Sequence, residues 1–239
     1  MELPRPAFLY PGPRPTTTTA VLRLSGCLAL CLALSIAVCL ALTPGSSSAL
    51  APTDTDRRLV ASLLDRVDTV PRRVHVVGYE RDEFGDWSTQ VTPEGHLCTT
   101  RDVVLFQTFG TPAVAPDVAR TDCPRATGSA TDVYTGNPMV PGDVQIDHVV
   151  PLAAAWDHGA HGWPRSLRTA FANDDGSNLL AVSAEANQSK SDGTPGEWLP
   201  TAGGAVPCAY LARYLTVSVS YRLTLSADDA DAARRVCRL

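Results

Sequence analysis

Asp147 and His148 stand side by side near the end of an apolar run, Val144 to Leu152, and three further polar segments follow: Phe171 to Asp174, Ser177 to Val182, and Glu185 to Lys190. A neutral imidazole can take a proton from water, and a hard divalent cation can absorb charge developing on a phosphate. Asp147 offers a carboxylate for such a cation and Asn187 a side-chain carbonyl oxygen. Oxygen donors suit Mg or Mn better than zinc, and a neutral amide beside one carboxylate leaves the cation strongly electrophilic. The order of these residues points to metal-dependent hydrolysis of phosphodiester bonds.

The elements that must position them follow from the pattern. Successive side chains on a strand face opposite ways, so Asp147 and His148 can serve one site only at a strand end or bend, and Pro151 marks that break. Ser129–Thr135 and Asp143–Val150 read as the two strands leading into the site, Leu179–Val182 as a short strand, and Ser183–Lys190 as a helix with Ser183 as N-cap. Leu152–Trp156 and Arg165–Phe171 read as helices. Elsewhere, Leu59, Val60, Leu63, Leu64 and Val67 predict an amphipathic helix over Asp56–Val67. Residues 74–79 read as a strand, Arg101–Phe109 as a short helix, and Ser226–Cys237 as the last helix. Pro207–Val219 suits a buried helix, although Thr216–Tyr221 alternates like a strand. The fold class expected is α+β.

Each residue also has a plainer reading. An Asp–His pair in a strand is ordinarily solvated or hydrogen-bonded. Asn178 closes a run of Asp174, Asp175, Gly176 and Ser177, which is turn chemistry. Asn187 could lie on a solvated helix face. Lys190 is the only lysine in the chain, all other basic residues being arginine. His158 and His161 offer a rival zinc site, since residues three apart share a helical face, but Gly159, Gly162 and Pro164 favour a loop. Trp156 and Trp163 read as core, and His75 and His96 as surface or core positions without partners at metal-ligand spacing.

The segment resembles the HNH endonucleases with the ββα-metal (His-Me finger) fold. It is similar in particular to the DUF1524 branch, which is related to the C-terminal nuclease domain of the GmrSD type IV restriction enzymes and common in secreted actinobacterial proteins. The residues carrying the likeness are Asp147, His148, Pro151, Leu152, Ala155, Trp156, Gly159, Ala160, Trp163, Arg168, Phe171 to Asp174, Asn178, Leu179, Asn187, Lys190, Trp198 and Pro200. Upstream, Gly78, Tyr79, Arg81, Phe84, Gly85, Trp87, Cys98, Arg101, Asp102 and Tyr134 to Gly136 extend it, so it covers roughly 75 to 237. The resemblance implies that Asp147 and Asn187 are metal ligands, that His148 is the general base, that Asn178 braces the loop and orients the base, and that Lys190 lies near the scissile phosphate. No Cys-x-x-Cys pair flanks the segment, which puts a structural zinc in doubt but leaves the catalytic metal untouched.

Residues 24–42 form an uncharged apolar run after Arg5, Arg14 and Arg23, and an Ala49-Leu50-Ala51 pattern closes it. Residues 1–51 therefore read as a secretory signal cut after Ala51, or as a membrane anchor facing outward, with 52–239 as the nuclease domain and about 129–200 as its catalytic core. Cys98, Cys123, Cys208 and Cys237 remain beyond it. Four cysteines allow three pairings, and sequence-local closure favours Cys98 with Cys123 and Cys208 with Cys237. Without residues 1–51 the chain keeps 17 of 20 basic and 24 of 25 acidic residues, a net charge of −7. That balance opposes non-specific binding of a polyanion, so a local basic rim from Arg165, Arg168, Lys190, Arg213 and Arg222 is expected to carry the substrate. The expected activity is a secreted endonuclease on DNA, with RNA as second substrate. The rival readings are an envelope binding module that kept the fold without catalysis, and a zinc hydrolase using His148, His158 and His161.

Overall fold

The computed structural model describes residues 51–110 and 123–239, and the apolar segment expected to direct export lies outside them except for Ala51. Among the described residues there are seven α-helices and four two-stranded sheets, so the α+β expectation holds. Helix α1 (Asp54–Leu64) starts at Thr53, whose hydroxyl accepts from the Asp56 amide. It packs Val60 and Leu63 into the main core with Leu211 and Leu215 of α6 (Val206–Ser220) and with Ala230 and Ala233 of α7 (Ala227–Cys237). The alternation over Thr216–Tyr221 does not make a strand. Thr216 and Ser218 turn their hydroxyls back onto the carbonyls of Ala212 and Tyr214, at 2.7 and 2.9 Å, which lets these residues sit in a buried helix.

The pairing around the candidate site differs from the sequence reading. Strand β6 (Val144–His148) pairs antiparallel with β7 (Leu179–Ser183), not with the segment before it. Ser129–Thr135 contracts to β4 (Ala130–Thr131), which pairs only with β5 (Pro138–Met139). Pro138 and Pro141 lack amide hydrogens and cannot extend a ladder toward β6. Instead the Asp132 carboxylate ends the pairing by accepting from Tyr134 N, Thr135 Oγ1 and, across to the end of β7, Ser183 N. Burial alone would raise this carboxyl, but those hydrogen bonds hold it below its ordinary value. Residues 74–79 form no strand either. Val74 and Val77 are 59% and 93% exposed, and the segment is held by side-chain bonds to Asp157.

Below the β6–β7 hairpin lies a second, smaller core. Val104 and Leu105 of α2 (Thr100–Phe109) meet Met139, Val144, Ile146, Leu179 and Ala181 there. Helix α2 carries a capping box between Thr99 and Asp102, a start signal that the sequence reading passed over. It follows β3 (Leu97–Thr99), the partner of β2 (Thr89–Val91). Two further helices, α3 (Leu152–Asp157) and α4 (Arg165–Ala172), lie between β6 and β7, and α5 (Ala184–Lys190) follows β7 directly. Short parallel pairing of β1 (Thr69–Val70) with β8 (Leu225–Ser226) ties the chain after α1 to the start of α7.

Both expected disulfides form, Cys98–Cys123 and Cys208–Cys237, with Cα atoms 5.0 and 5.1 Å apart. The second joins the start of α6 to the end of α7 around the main core. Closing a loop of this size stabilises a fold by about 3 kcal/mol in the chain-entropy model. Replacing Cys208 and Cys237 together by serine is therefore expected to lower the unfolding free energy by about that amount. A denaturant titration with an unchanged midpoint would show that this clip carries no stability.

Candidate active site

Strand β6 stops at His148 because its last neighbour is a turn and not another strand residue. The register places Asp147 opposite Leu180 and His148 opposite Leu179. Beyond it Asn178, fully buried, takes over the ladder: its carbonyl accepts from Val149 N at 2.7 Å, its Oδ1 from Val150 N at 2.9 Å, and its Nδ2 donates to Phe171 O at 3.3 Å. The Asp174 carboxylate fixes the turn that delivers Asn178, accepting from Ser177 N, Ser177 Oγ and Tyr221 Oη. Asn178 thus joins the segment after β6, the end of α4 and the start of β7.

Asp147 is 5% exposed and faces two donors. The Tyr134 hydroxyl donates to Oδ2 at 2.7 Å, and Lys190 Nζ lies 3.0 Å from Oδ1 and 2.9 Å from Oδ2. The same ammonium donates to His148 O at 2.7 Å. Burial pushes the Asp147 carboxyl up and the Lys190 ammonium down, each opposed by the charge of the other. Burial and the Asp147 charge keep the Tyr134 hydroxyl protonated, well above the usual tyrosine range.

His148 is oriented from both sides. Its Nε2 lies 3.0 Å from Ala172 O, and since a carbonyl only accepts, Nε2 carries the proton and Nδ1 keeps its lone pair. The ring is parallel to that of Trp87, with 6.0 Å between centroids and 2° between planes. Asn173 holds the Trp87 loop: Ser88 N donates to its Oδ1 at 2.7 Å and its Nδ2 donates to Asp86 O at 3.1 Å. Burial, with smaller contributions from the Arg81 and Lys190 charges, depresses the imidazole to about 3.

Asp147, His148 and Asn187 line one cleft of about 690 Å³. Asn187 Nδ2 donates to Gln145 Oε1 at 2.8 Å, which leaves the amide oxygen for another partner. The wall opposite is braced by Asp157, which accepts from Arg73 Nε at 2.7 Å and from Val76 N at 2.8 Å and lies 3.0 Å from His75 Nδ1. Arg73 continues to Asp192, just past α5.

Several expected roles change once the side chains are placed. Lys190 is 1% exposed, its ammonium committed to Asp147 and the His148 carbonyl, so it stands under the site and not at a solvent-facing phosphate position. Arg168 is likewise inside: it bonds Glu83 through Nε and Nη2, bonds Trp163 O, and stacks over Trp156. Arg213 donates to Ser177 O and Leu179 O, and Arg165 to Asp82 O. The expected basic rim is therefore not assembled around the cleft: Arg168, Lys190 and Arg213 bond to groups within the fold, and Arg165 and Arg222 are exposed but do not line it. His158 and His161 do not join His148: His158 Nδ1 meets Thr224 Oγ1 at 3.0 Å and His161 Nδ1 meets Trp156 O at 2.8 Å. Among the described residues, no three His, Cys, Asp or Glu side chains are grouped to hold a metal, and the zinc reading falls with that. Among the cleft residues that escaped the sequence reading as site residues are His75, Arg81, Asp157 and Asp192. His75 fell in a segment read as a strand and Arg81 just beyond it, and only the folded chain brings them to the cleft.

The paired strands β6 and β7 thus bring an adjacent carboxylate and oriented imidazole to one cleft with an amide oxygen from the helix that follows. Residues 119–232 match the family described as GmrSD restriction endonucleases, C-terminal domain. The chain is 36% identical over 157 residues to an uncharacterized secreted protein of Arthroderma benhamiae, an alignment covering 65% of this chain and 72% of that protein. No solved structure matches. The chain belongs to the GmrSD C-terminal domain family (DUF1524).

Two outcomes follow from the buried groups. Lys190→Met leaves a carboxylate in the interior without its cation, and loss of one partner of such a pair costs about 3–5 kcal/mol. The double variant with Asp147→Asn is expected to recover part of that loss. Equal denaturant midpoints for wild type and Lys190→Met would refute the pairing. His148, depressed from its ordinary value of 6.5 to about 3, adds stability that is complete above about 6.5 and is lost as pH falls toward about 3, where the folded state is protonated too. The difference in stability between wild type and His148→Gln should shrink across that window; a difference independent of pH would show that the imidazole is not held neutral by folding.

Proposed function

We propose that the protein is an exported, metal-dependent endonuclease that hydrolyses phosphodiester bonds of DNA, built on a ββα-metal core of β6, β7 and α5. The observation that carries this is the pairing of an Nδ1 lone pair on His148 with hard oxygens of Asp147 and Asn187 on one cleft. Membership of an endonuclease domain family supports it.

The donor set fits a hard divalent cation. Asp147 Oδ1 accepts from Lys190 alone and keeps one acceptor position, and Asn187 Oδ1 is the free end of an amide whose nitrogen is already fixed. Asp147 and Asn187 would hold the metal, with water and substrate completing its shell as Mg or Mn requires. When bound it would supply electrostatic stabilisation of the charge that develops on the phosphate. The chain's own groups do the rest. His148 Nδ1 takes a proton from water, a new bond forms from that oxygen to phosphorus, the bond from phosphorus to the 3′ oxygen breaks, and that oxygen takes a proton from solvent, leaving a 3′-hydroxyl and a 5′-phosphate. Ala172 O and Trp87 hold the ring so that Nδ1, not Nε2, is the acceptor. Asn178 fixes the backbone from which His148 projects, and Lys190 anchors the carbonyl of His148 and the carboxylate of Asp147 from below.

Export is supported by the two disulfides, which persist in oxidising compartments, and by the word secreted in the relative's description. Among the described residues no helix is long and apolar enough to cross a membrane. Residues 1–51 supply the signal or anchor in this reading.

A plasmid-nicking assay with and without EDTA tests the activity. Nicking restored by Mg or Mn is expected, with His148→Ala reducing it by roughly 10²- to 10⁴-fold, the usual contribution of a positioned base. Asp147→Ala and Asn187→Ala should weaken calorimetric Mn binding and nicking together, while His158→Ala and His161→Ala should alter neither. A wild-type protein that never nicks, or a His148→Ala variant that nicks at the wild-type rate, would favour the non-catalytic binding module. Mass spectrometry of exported material should find a chain beginning at Pro52 with both bridges closed; an intact Met1 start would instead assign an anchor.

A further inference from the structure

Of the cations expected to meet the substrate, Lys190 and Arg168 are enclosed, which leaves open what does meet an anionic phosphate. The charges along the large cleft answer this. Its three acids each meet a cation, Asp147 having Lys190 to itself while Asp157 and Asp192 share Arg73. One arginine lines that cleft, Arg81, at the start of the 3₁₀ turn Arg81–Phe84. It is exposed, and among the described residues it has neither an ion-pair nor a side-chain hydrogen-bond partner. Glu80 and Asp82 flank it in sequence, but neither bridges to it.

Position supports the same role. Arg81 lines both the large cleft and the smaller recess beside it, and His148 also lines both, so the two residues share the ridge between them. The Arg81 charge is one of those acting on the His148 imidazole. The smaller recess carries Asp86 in addition, so an anion is better placed on the large-cleft side. The turn is held from behind: Arg165 Nη2 donates to Asp82 O and Arg168 Nε to Glu83 O, while Gly85, at φ +74°, redirects the chain toward Trp87. The backbone that carries Arg81 is thus fixed, and its guanidinium is free.

We infer that Arg81 is the phosphate-binding residue of the cleft, gripping a backbone phosphate of the nucleic acid so that the neighbouring linkage lies at His148. A guanidinium suits this task because its planar fork can donate to two phosphate oxygens at once. The inference rests on the nuclease reading and adds to it the contact that locates the substrate.

The test is binding without cleavage. A fluorescein-labelled DNA duplex is titrated with the full chain in EDTA, by anisotropy, at several salt concentrations. The chains compared are wild type, Arg81→Gln, Arg81→Lys, and Arg234→Gln as a control that removes one exposed charge away from the cleft. Each phosphate contact contributes about 0.9 to the slope of log affinity against log salt, or roughly eightfold in affinity at 0.1 M salt. Arg81→Gln should therefore lower the slope by about 0.9 and weaken binding roughly eightfold. Arg81→Lys should restore the slope, and Arg234→Gln should match wild type. Thermal melts equal to wild type for both Arg81 variants are expected, since the side chain has no partner to lose. Wild-type affinity and slope for Arg81→Gln, or an equal loss in Arg234→Gln, would overturn the assignment to Arg81 while leaving the nuclease reading in place. Failure of the wild-type chain to bind duplex, single-stranded DNA or RNA would overturn both.

Discussion

Lys190 brings a full positive charge into the interior, and three oxygen atoms receive it: both carboxylate oxygens of Asp147 and the carbonyl of His148. An unpaired ammonium at that depth would be too unfavourable to retain, so the end of α5 is obliged to lie against the end of β6. That constraint sets much of the site. It holds Asp147 from one side while Tyr134 holds it from the other, and it fixes the carbonyl of the very residue whose ring is the proposed base. Ser183, the cap that starts α5, is also the last residue of β7 and binds Asp132 through its amide. The strand, the helix and the loop before them are thereby fixed relative to the same buried pair.

Around that pair the site is a convergence of chain segments whose backbone polar groups would otherwise be unmatched. The amides of Val149 and Val150 have no strand to bond, and Asn178 supplies one acceptor from its backbone and one from its side chain. Ala172 O, near the end of α4, is left over by the helix and receives the His148 ring. Packing alone would not choose a tautomer. The carbonyl does, and so the requirement that helix ends be satisfied becomes a statement about which nitrogen can accept a proton.

Much of this was legible in the sequence because it depends on local chemistry. The end of β6 just ahead of Pro151, the turn before Asn178 and the cap at Ser183 are set by neighbouring residues, and the adjacent Asp147 and His148 needed only that strand end to share a cleft. What escaped depends on distant partners. A lysine in the last turn of a short helix reads as solvent-facing, where it also complements the helix dipole. Only Asp147, from another element, draws Lys190 inward. Arg168 lies on a helix whose exposed face looked suited to a polyanion, yet Glu83 and the Trp163 carbonyl claim it. The apolar stretch at 74–79 resembled a strand because its composition is that of one, but among the described residues it pairs with no strand, and the Asp157 carboxylate is its partner instead. Arg81 and His75 enter the site through that same upstream region, where no periodicity announces their direction.

Net negative charge and a polyanionic substrate are reconciled by the same pairing. The three acids of the large cleft, Asp147, Asp157 and Asp192, are balanced by the charges of Lys190, Arg73 and Arg81, so the cleft is close to neutral, although the chain carries −5 overall. Pairing inside the fold removes cations from the surface as surely as it neutralises acids, and Arg168 and Lys190 are withdrawn from the expected rim in this way. Attraction over long range is then weak, and recognition must rest on few contacts made close to the reacting group. Such a site depends on placement more than on charge, and a cleft whose walls are fixed by Asp157, Asn178 and the Lys190 pair provides that placement before any substrate arrives.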